Sequence, residues 1–161
     1  MPMPIHMTLK GQTQGDIKGG CTQRGREDSI IINAFDHDIV SPRDIASGLP
    51  TGKRQHKPVK ITKEIDKASP LLFTVLCTNE NLTEVVFKFW RPSMSGKEEQ
   101  YYTIKLTNAN ITSMKTFFPH TRIAENTHLG HMEEVSFTYR KIEWTFTDGG
   151  ITSEDDWEIP K

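Results

Sequence analysis

The stretch MEEVSFTYRKIEWTF, residues 132–146, decides the fold. Val135, Phe137 and Tyr139 stand at odd positions, whereas Ile142, Trp144 and Phe146 stand at even ones. Successive residues of a β-strand point to opposite faces, so one buried face holds one parity. The change across Arg140–Lys141 predicts an additional residue there, a β-bulge that keeps the apolar face inward while the strand bends. Such bending belongs to a barrel or a strongly curled sheet. A straight strand that exchanges faces is the alternative.

The flanking sequence extends the same period. Tyr102, Ile104 and Leu106 alternate with Thr103, Lys105 and Thr107, and the run continues toward Ile111 and Met114. Before it, Val85, Phe87 and Phe89 share a face, Val86 and Trp90 lie opposite, and SMSGKEE (93–99) reads as a glycine-containing turn. Val59, Ile61 and Ile65 alternate with Lys60, Thr62 and Glu64, as Ile5, Met7 and Leu9 do with His6, Thr8 and Lys10. In SIIINAFDHDIV (29–40), Ile31, Phe35 and Ile39 share one face while Ile30, Ile32 and Ala34 occupy the other, which predicts a strand covered on both sides. Gly11, Gly15, Gly19 and Gly20 mark a flexible crossing with no evident element. The one helix is predicted at about 67–79, with Ser69 as N-cap, Pro70 in the first turn and an apolar stripe of Leu71, Leu72, Val75 and Leu76.

At 161 residues and 18.4 kDa the chain reads as one domain, 1–161. Thr, Ile and Val make up 39 residues against 8 Leu, a bias toward pleated surfaces. The formal net charge of −1 argues against a nucleic-acid binder, which needs basic excess to displace phosphate counterions. No apolar run approaches the ~20 residues of a membrane-spanning helix, and MPMPIHMTLK (1–10) lacks the apolar run of a secretory signal. Cys21 and Cys77 fit free thiols rather than a disulfide framework. Three segments stand outside the strand pattern: a long loop at 41–57 (SPRDIASGLPTGKRQHK), a second at 119–132, and a C-terminal tail at 148–161. The first is too long and polar for a hairpin turn, and Ile45 and Leu49 suggest that it docks on something.

The residues predict no catalytic, cofactor or metal site. His120, His128 and His131 lack the paired cysteines or HExxH spacing of a zinc site, and only Glu133 and Glu134 lie near. Cys77, at a helix C-terminus, is badly placed as a nucleophile. In Asp36-His37-Asp38, alternation puts the carboxylates opposite the imidazole. The basic run Lys53-Arg54-Gln55-His56-Lys57 and the acidic run Glu154-Asp155-Asp156-Trp157-Glu158, with Trp157 as a packing anchor, suggest head-to-tail self-association.

Several segments taken together resemble the haemolysin-coregulated protein family, the inner tube of bacterial type VI secretion systems. HKPVKITKEIDKASPLL (56–72) is similar to its third strand and helix start, and FKFWRPSMSGKEEQYYTIKLTNANI (87–111) and MEEVSFTYRKIEWTF (132–146) to its central hairpin and last strand. GQTQG (11–15) and DDW (155–157) look like the enterobacterial branch. The resemblance implies a mainly β fold, a barrel of two curled sheets with one short α-helix on its side, similar to phage tail-tube proteins. It further implies homohexameric rings stacked into a tube, a contractile sheath and a spike protein as partners, and secreted effectors in the lumen. Assembly in the cytoplasm and export without a signal peptide follow, and the chain's end about fifteen residues past the last strand implies no appended toxin domain. The loop at 41–57 is then the arm that meets a neighbouring subunit, with Arg43, Ile45, Leu49, Pro50, Lys53 and Arg54 as contacts. Two other classes remain: a secreted carbohydrate-binding β-module using Trp90, Tyr101 and Tyr102, and an enzyme with a scattered site that includes His37.

Overall fold

The alternating segments form ten strands and one α-helix in a computed structural model that describes residues 3–157. They are β1 (Ile5–Gly11), β2 (Gly15–Ile17), β3 (Ile30–Asp36), β4 (Ile39–Val40), β5 (Gln55–His56), β6 (Val59–Glu64), α1 (Ser69–Thr78), β7 (Leu82–Pro92), β8 (Glu98–Phe117), β9 (Met132–Phe146) and β10 (Ile151–Asp156). The strand order is β10-β9-β6-β3-β1-β7-β8, all antiparallel, and β8 pairs back onto β9. Six strands thus close a barrel, with β2 added beside β1 and β10 beside β9, while β4 and β5 form a separate ribbon. One half of β9 pairs with β6, from Glu64↔Met132 to Val59↔Phe137; the other half pairs with β10, from Asp156↔Lys141 to Ile151↔Phe146.

The change of parity in β9 is present, and its cause differs from the expected bulge. Val135, Phe137, Tyr139 and Ile142 are buried, yet the register against β8 passes unshifted from Thr107↔Lys141 to Ala109↔Tyr139. The neighbouring strands change faces at the same level. In β8 the buried residues pass from Leu106 to Ala109 across Asn108, whose φ is 53°, and in β7 they pass from Leu82 to Val85. Where β7 pairs with β1 the register shifts at this level, with Lys10↔Glu84 followed by Gly11↔Leu82, leaving Thr83 of β7 extra. A kink shared by β7, β8 and β9 turns the side chains together, so β9 itself needs no inserted residue. Asn tolerates the left-handed conformation better than most residues, which suits it to the bend.

The inward residues meet in one core. Phe87 and Phe137 are fully buried and pack edge to face at 6.2 Å, with Phe35 on Phe87 at 5.1 Å. Helix α1 buries Leu72 and Val75 and contacts β8. Its start corrects the sequence reading: the N-cap is Ala68, without a side-chain cap, and Ser69 lies inside the helix. The Ser69 hydroxyl donates instead to Glu133 Oε1 (2.6 Å) and accepts from Lys63 Nζ (3.2 Å). Lys63 occupies the inward parity of β6 beside Val59 and Ile61 and is 0% exposed. Its ammonium is ion-paired with Glu133, 1% exposed, and lies 3.1 Å from Asp66 Oδ1.

The glycine-rich crossing is ordered as well. Residues 11–15 turn into β2 with the Glu80 carboxylate accepting the Thr13 and Gln14 amides at 3.2 and 3.1 Å, and Gly19 donates to Asp28 O at 2.8 Å. A β-carbon at Gly19 would lie 2.5 Å from Ser29 O, so the close approach of the two backbones requires glycine. In SIIINAFDHDIV, Ile30 and Ile32 are inward and Ile31 is exposed; a register shift between Ile32 and Ala34 then turns Phe35 toward the core.

Candidate functional site

The segment expected as an irregular loop is a long β-hairpin arm. Its stem is the β4–β5 ribbon, Ile39↔His56 and Val40↔Gln55, continued by the Arg43↔Pro50 bridge and by Thr51 N donating to Pro42 O at 2.9 Å. The tip is a turn in which Asp44 Oδ2 accepts from Ser47 N at 3.0 Å and Ser47 Oγ at 2.6 Å, and Gly48 takes a φ of 75°. The Ser47 hydrogen bonds hold the Asp44 carboxyl below the usual carboxylate range. The ends of the segment pair although its interior shows no period-2 pattern, so length and polarity suggested a loop. Arg43, Leu49, Pro50 and Lys53 are exposed, and Ile45 is 102% exposed.

Arg54 lies lower, on the stem, and has a different role. It donates to Asp155 through Nε (2.5 Å) and Nη2 (3.0 Å) and to Asp156 O (3.0 Å). The basic run and the acidic run therefore meet inside one chain, and the contact that suggested head-to-tail association is intramolecular. Trp157 is the anchor within that contact: its indole donates to Tyr139 O and its ring lies 5.5 Å from His56. Most of the described part of the expected tail is strand β10, and residues 158–161, Glu158 among them, lie outside the described residues.

Behind Arg54 runs a chain of partly buried polar side chains. His56 Nε2 is 2.7 Å from Asp155 Oδ2, His56 Nδ1 is 2.6 Å from Tyr139 Oη, and His37 Nε2 is 2.8 Å from the same hydroxyl. Burial, reinforced by the Asp155 charge, pushes the Tyr139 phenol well above its usual range. Burial, then the neighbouring His56, lowers the His37 imidazole, against the opposing pull of Asp38 and Asp36. A Tyr–His–Asp sequence resembles a catalytic relay, but this tyrosine is buried, held between two imidazoles and hard to ionise. Sequence reading named His37 and the ends of this chain without linking them. The available signal was Tyr139, a polar aromatic on the inward parity at the kink.

The other candidates lie apart. Asp38 pairs with Lys57 at 3.4 Å while His37 turns to Tyr139. His120 Nδ1 accepts from Arg122 N at 3.2 Å, His131 packs on Phe118 at 5.4 Å, and Glu133 is committed to Lys63. Among the described residues no group of three or more His, Cys, Asp or Glu is arranged to hold a metal ion. Trp90 and Tyr101 line one open cavity, and each carries a guanidinium of its own chain against its ring, Arg26 at 3.7 Å and Arg91 at 4.8 Å. Tyr102 packs on Phe89 at 5.5 Å. These aromatics do not present the bare platform that sugar stacking needs.

Comparison with known proteins identifies the architecture. The family described as "Type VI secretion system effector, Hcp" matches residues 6–146. The chain is 42% identical over 169 residues to the "Major exported protein" of Pseudomonas aeruginosa, covering 99% of this chain and 98% of that one. A crystal structure of an Hcp protein superposes with a TM-score of 0.90 at 33% identity, covering 96% of this chain and 97% of the other. The Hcp1 protein of E. coli EAEC 042, solved in a mutant form, gives 0.85 at 35% identity over 96% of this chain and 99% of its own. A closed barrel, one helix at its side and a match over nearly the whole length place the chain in the Hcp family of type VI secretion system proteins.

Proposed function

We propose that this chain is the structural subunit of a type VI secretion tube, in which six copies close into a ring and rings stack into a hollow, ejected tube. Membership of the Hcp family across residues 6–146 supports the tube role. The arm carries the assembly reading: a hairpin held at its stem that offers Ile45 and Leu49, 102% and 65% exposed among the described residues. Such apolar groups on a polar hairpin gain by docking on a partner, and a second copy is always available. Ring closure also satisfies strand edges without open-ended growth, and a net charge of −1 lets many identical copies pack without mutual repulsion.

Arg43, Ile45, Leu49, Pro50 and Lys53 form the contact with the neighbouring subunit, and Arg54 holds the stem that presents them. The tube assembles in the cytoplasm within a contractile sheath, carries a spike protein at its tip and leaves the cell with effectors in its lumen. The role is mechanical, with no catalysis. Deleting residues 44–53 tests the reading by native mass spectrometry and negative-stain imaging. The expected result is six-membered rings from the intact chain and folded, ring-free barrels from the deletion. Rings from the deletion would refute the arm contact, and their absence from the intact chain would refute the tube role.

A further inference from the structure

The proton arrangement at the arm's stem follows from its partners. An ionised Asp155 only accepts, so the His56 nitrogen beside it, Nε2, carries a proton. A neutral His56 then has a lone pair on Nδ1, which accepts from the Tyr139 hydroxyl at 2.6 Å. The Tyr139 oxygen, having donated its one proton, accepts from His37 Nε2–H at 2.8 Å. With His56 neutral, the chain runs in one direction, His37 to Tyr139 to His56 to Asp155. It ties three parts of the molecule together: the β4–β5 ribbon through His56 in β5 and His37 just before β4, Tyr139 in the barrel wall, and Asp155 in β10.

We propose that this ordered chain is an acid-sensitive latch that clamps the arm's stem to the barrel at neutral pH and releases it in acid. The chain accommodates one added proton. A proton on His56 Nδ1 reverses it: His56 donates to Tyr139, Tyr139 donates to His37 Nε2, and His37 shifts its own proton to Nδ1. Asp155 balances the new cation, although Arg54 already occupies that carboxylate. A second proton, on His37, has no such arrangement. Both imidazoles then donate to one oxygen, the Tyr139 hydroxyl proton loses its acceptor inside a buried site, and two cations face each other across it.

The surroundings set the balance. His37 faces Asp36 and Asp38 from its own segment, Lys57 past β5 and Lys60 from β6, together with His56 and Tyr139. His56 faces Arg54 from the arm's stem, Asp155 from β10 and Tyr139 from β9; beyond Asp155, Asp156 is paired with Arg140. The Asp36 and Asp38 carboxylates favour the second proton, and burial with His56 opposes it.

Hydrogen–deuterium exchange on the full chain tests the latch, reading the stem peptides spanning 38–57 between pH 7.5 and 5 after correction for intrinsic exchange. Ring content of the same samples is measured by native mass spectrometry. Protection of the stem should fall on acidification by about tenfold per pH unit for each proton that only the released stem holds, while the barrel strands stay protected. Tyr139→Phe should lose stem protection already at pH 7.5. His37→Gln, placed at the half-buried end of the chain, should remove the second protonation and flatten the response even if the tyrosine variant folds poorly. Loss of stem protection with rings intact would support the latch and separate it from assembly. A stem that stays protected to pH 5, or a His37→Gln variant that responds like wild type, would overturn the latch and leave the arm contact standing.

Discussion

Replacing Lys63 with methionine isolates the most buried ionic contact in the barrel. The ammonium is fully enclosed and donates to Glu64 O at 2.9 Å and Ser69 Oγ at 3.2 Å, besides its pairs with Glu133 and Asp66. Methionine preserves most of the volume and removes the charge. Glu133, 1% exposed, would then keep Ser69 on Oε1, and its Oε2 has no hydrogen-bond partner among the described residues even in the wild type. Leaving such a carboxylate uncompensated costs about 3–5 kcal/mol. That is a large share of the roughly 5–15 kcal/mol available to a domain. At about 2–4 °C per kcal/mol for a chain of this size, the melting temperature should drop by roughly 6–20 °C.

Urea and thermal unfolding of Lys63→Met, Glu133→Leu and the double variant give a complete cycle. The double variant should recover most of the loss, because a buried ion pair exchanged for apolar groups of similar volume is often neutral or stabilising. A loss below about 1 kcal/mol, the value of an exposed pair, would refute the reasoning. So would a double variant no more stable than Lys63→Met.

Three further outcomes are expected. The pair Ile45→Asp and Leu49→Asp should change monomer stability by no more than about 0.5 kcal/mol, since both side chains are exposed, yet abolish rings in native mass spectra. The buried His6 and the half-buried His37 both resist protonation in the fold, His6 through burial and then Arg26, His37 through burial and then His56. Below about 6.5 the unfolded chain therefore holds more protons, and unfolding free energy should fall as pH drops from 7 toward 5, measurable as a declining urea midpoint. Cys77 is exposed and Cys21 buried, so a thiol reagent should modify one cysteine rapidly and the second only on denaturation.

Much of the barrel is legible in the chain because strands buried on one face keep a period of two. Leu106, Phe137 and Phe87 fall where alternation puts them, and the helix stripe supplies Leu72 and Val75 as buried residues. The same parity change at Tyr139 and Ile142 announces the bend. Its mechanism is hidden, because matching changes at Leu82/Val85 and Leu106/Ala109 gain meaning only once the three strands are aligned. Lys63 is hidden for a related reason. Lysine reads as a solvated residue, and only the pairing of β6 with β9 brings Glu133 to it. Ser69 fails as a cap because that same pair claims its hydroxyl.

The arm shows the boundary most clearly. Composition marks 41–57 as long, polar and tipped with Ile45 and Leu49, and those two are indeed exposed. Its hairpin form, and the commitment of Arg54 to Asp155, depend on pairings that no local pattern announces, the second between residues about a hundred positions apart. Local period and composition are properties of neighbouring residues, so sequence alone determined the β class, the helix, the kink's position and the arm's apolar tip. Partnership of charges and protons is set by distances across the fold. Barrel closure through β8 and β9, the buried Lys63–Glu133 pair and the His37–Tyr139–His56–Asp155 chain were therefore decided only by tertiary structure.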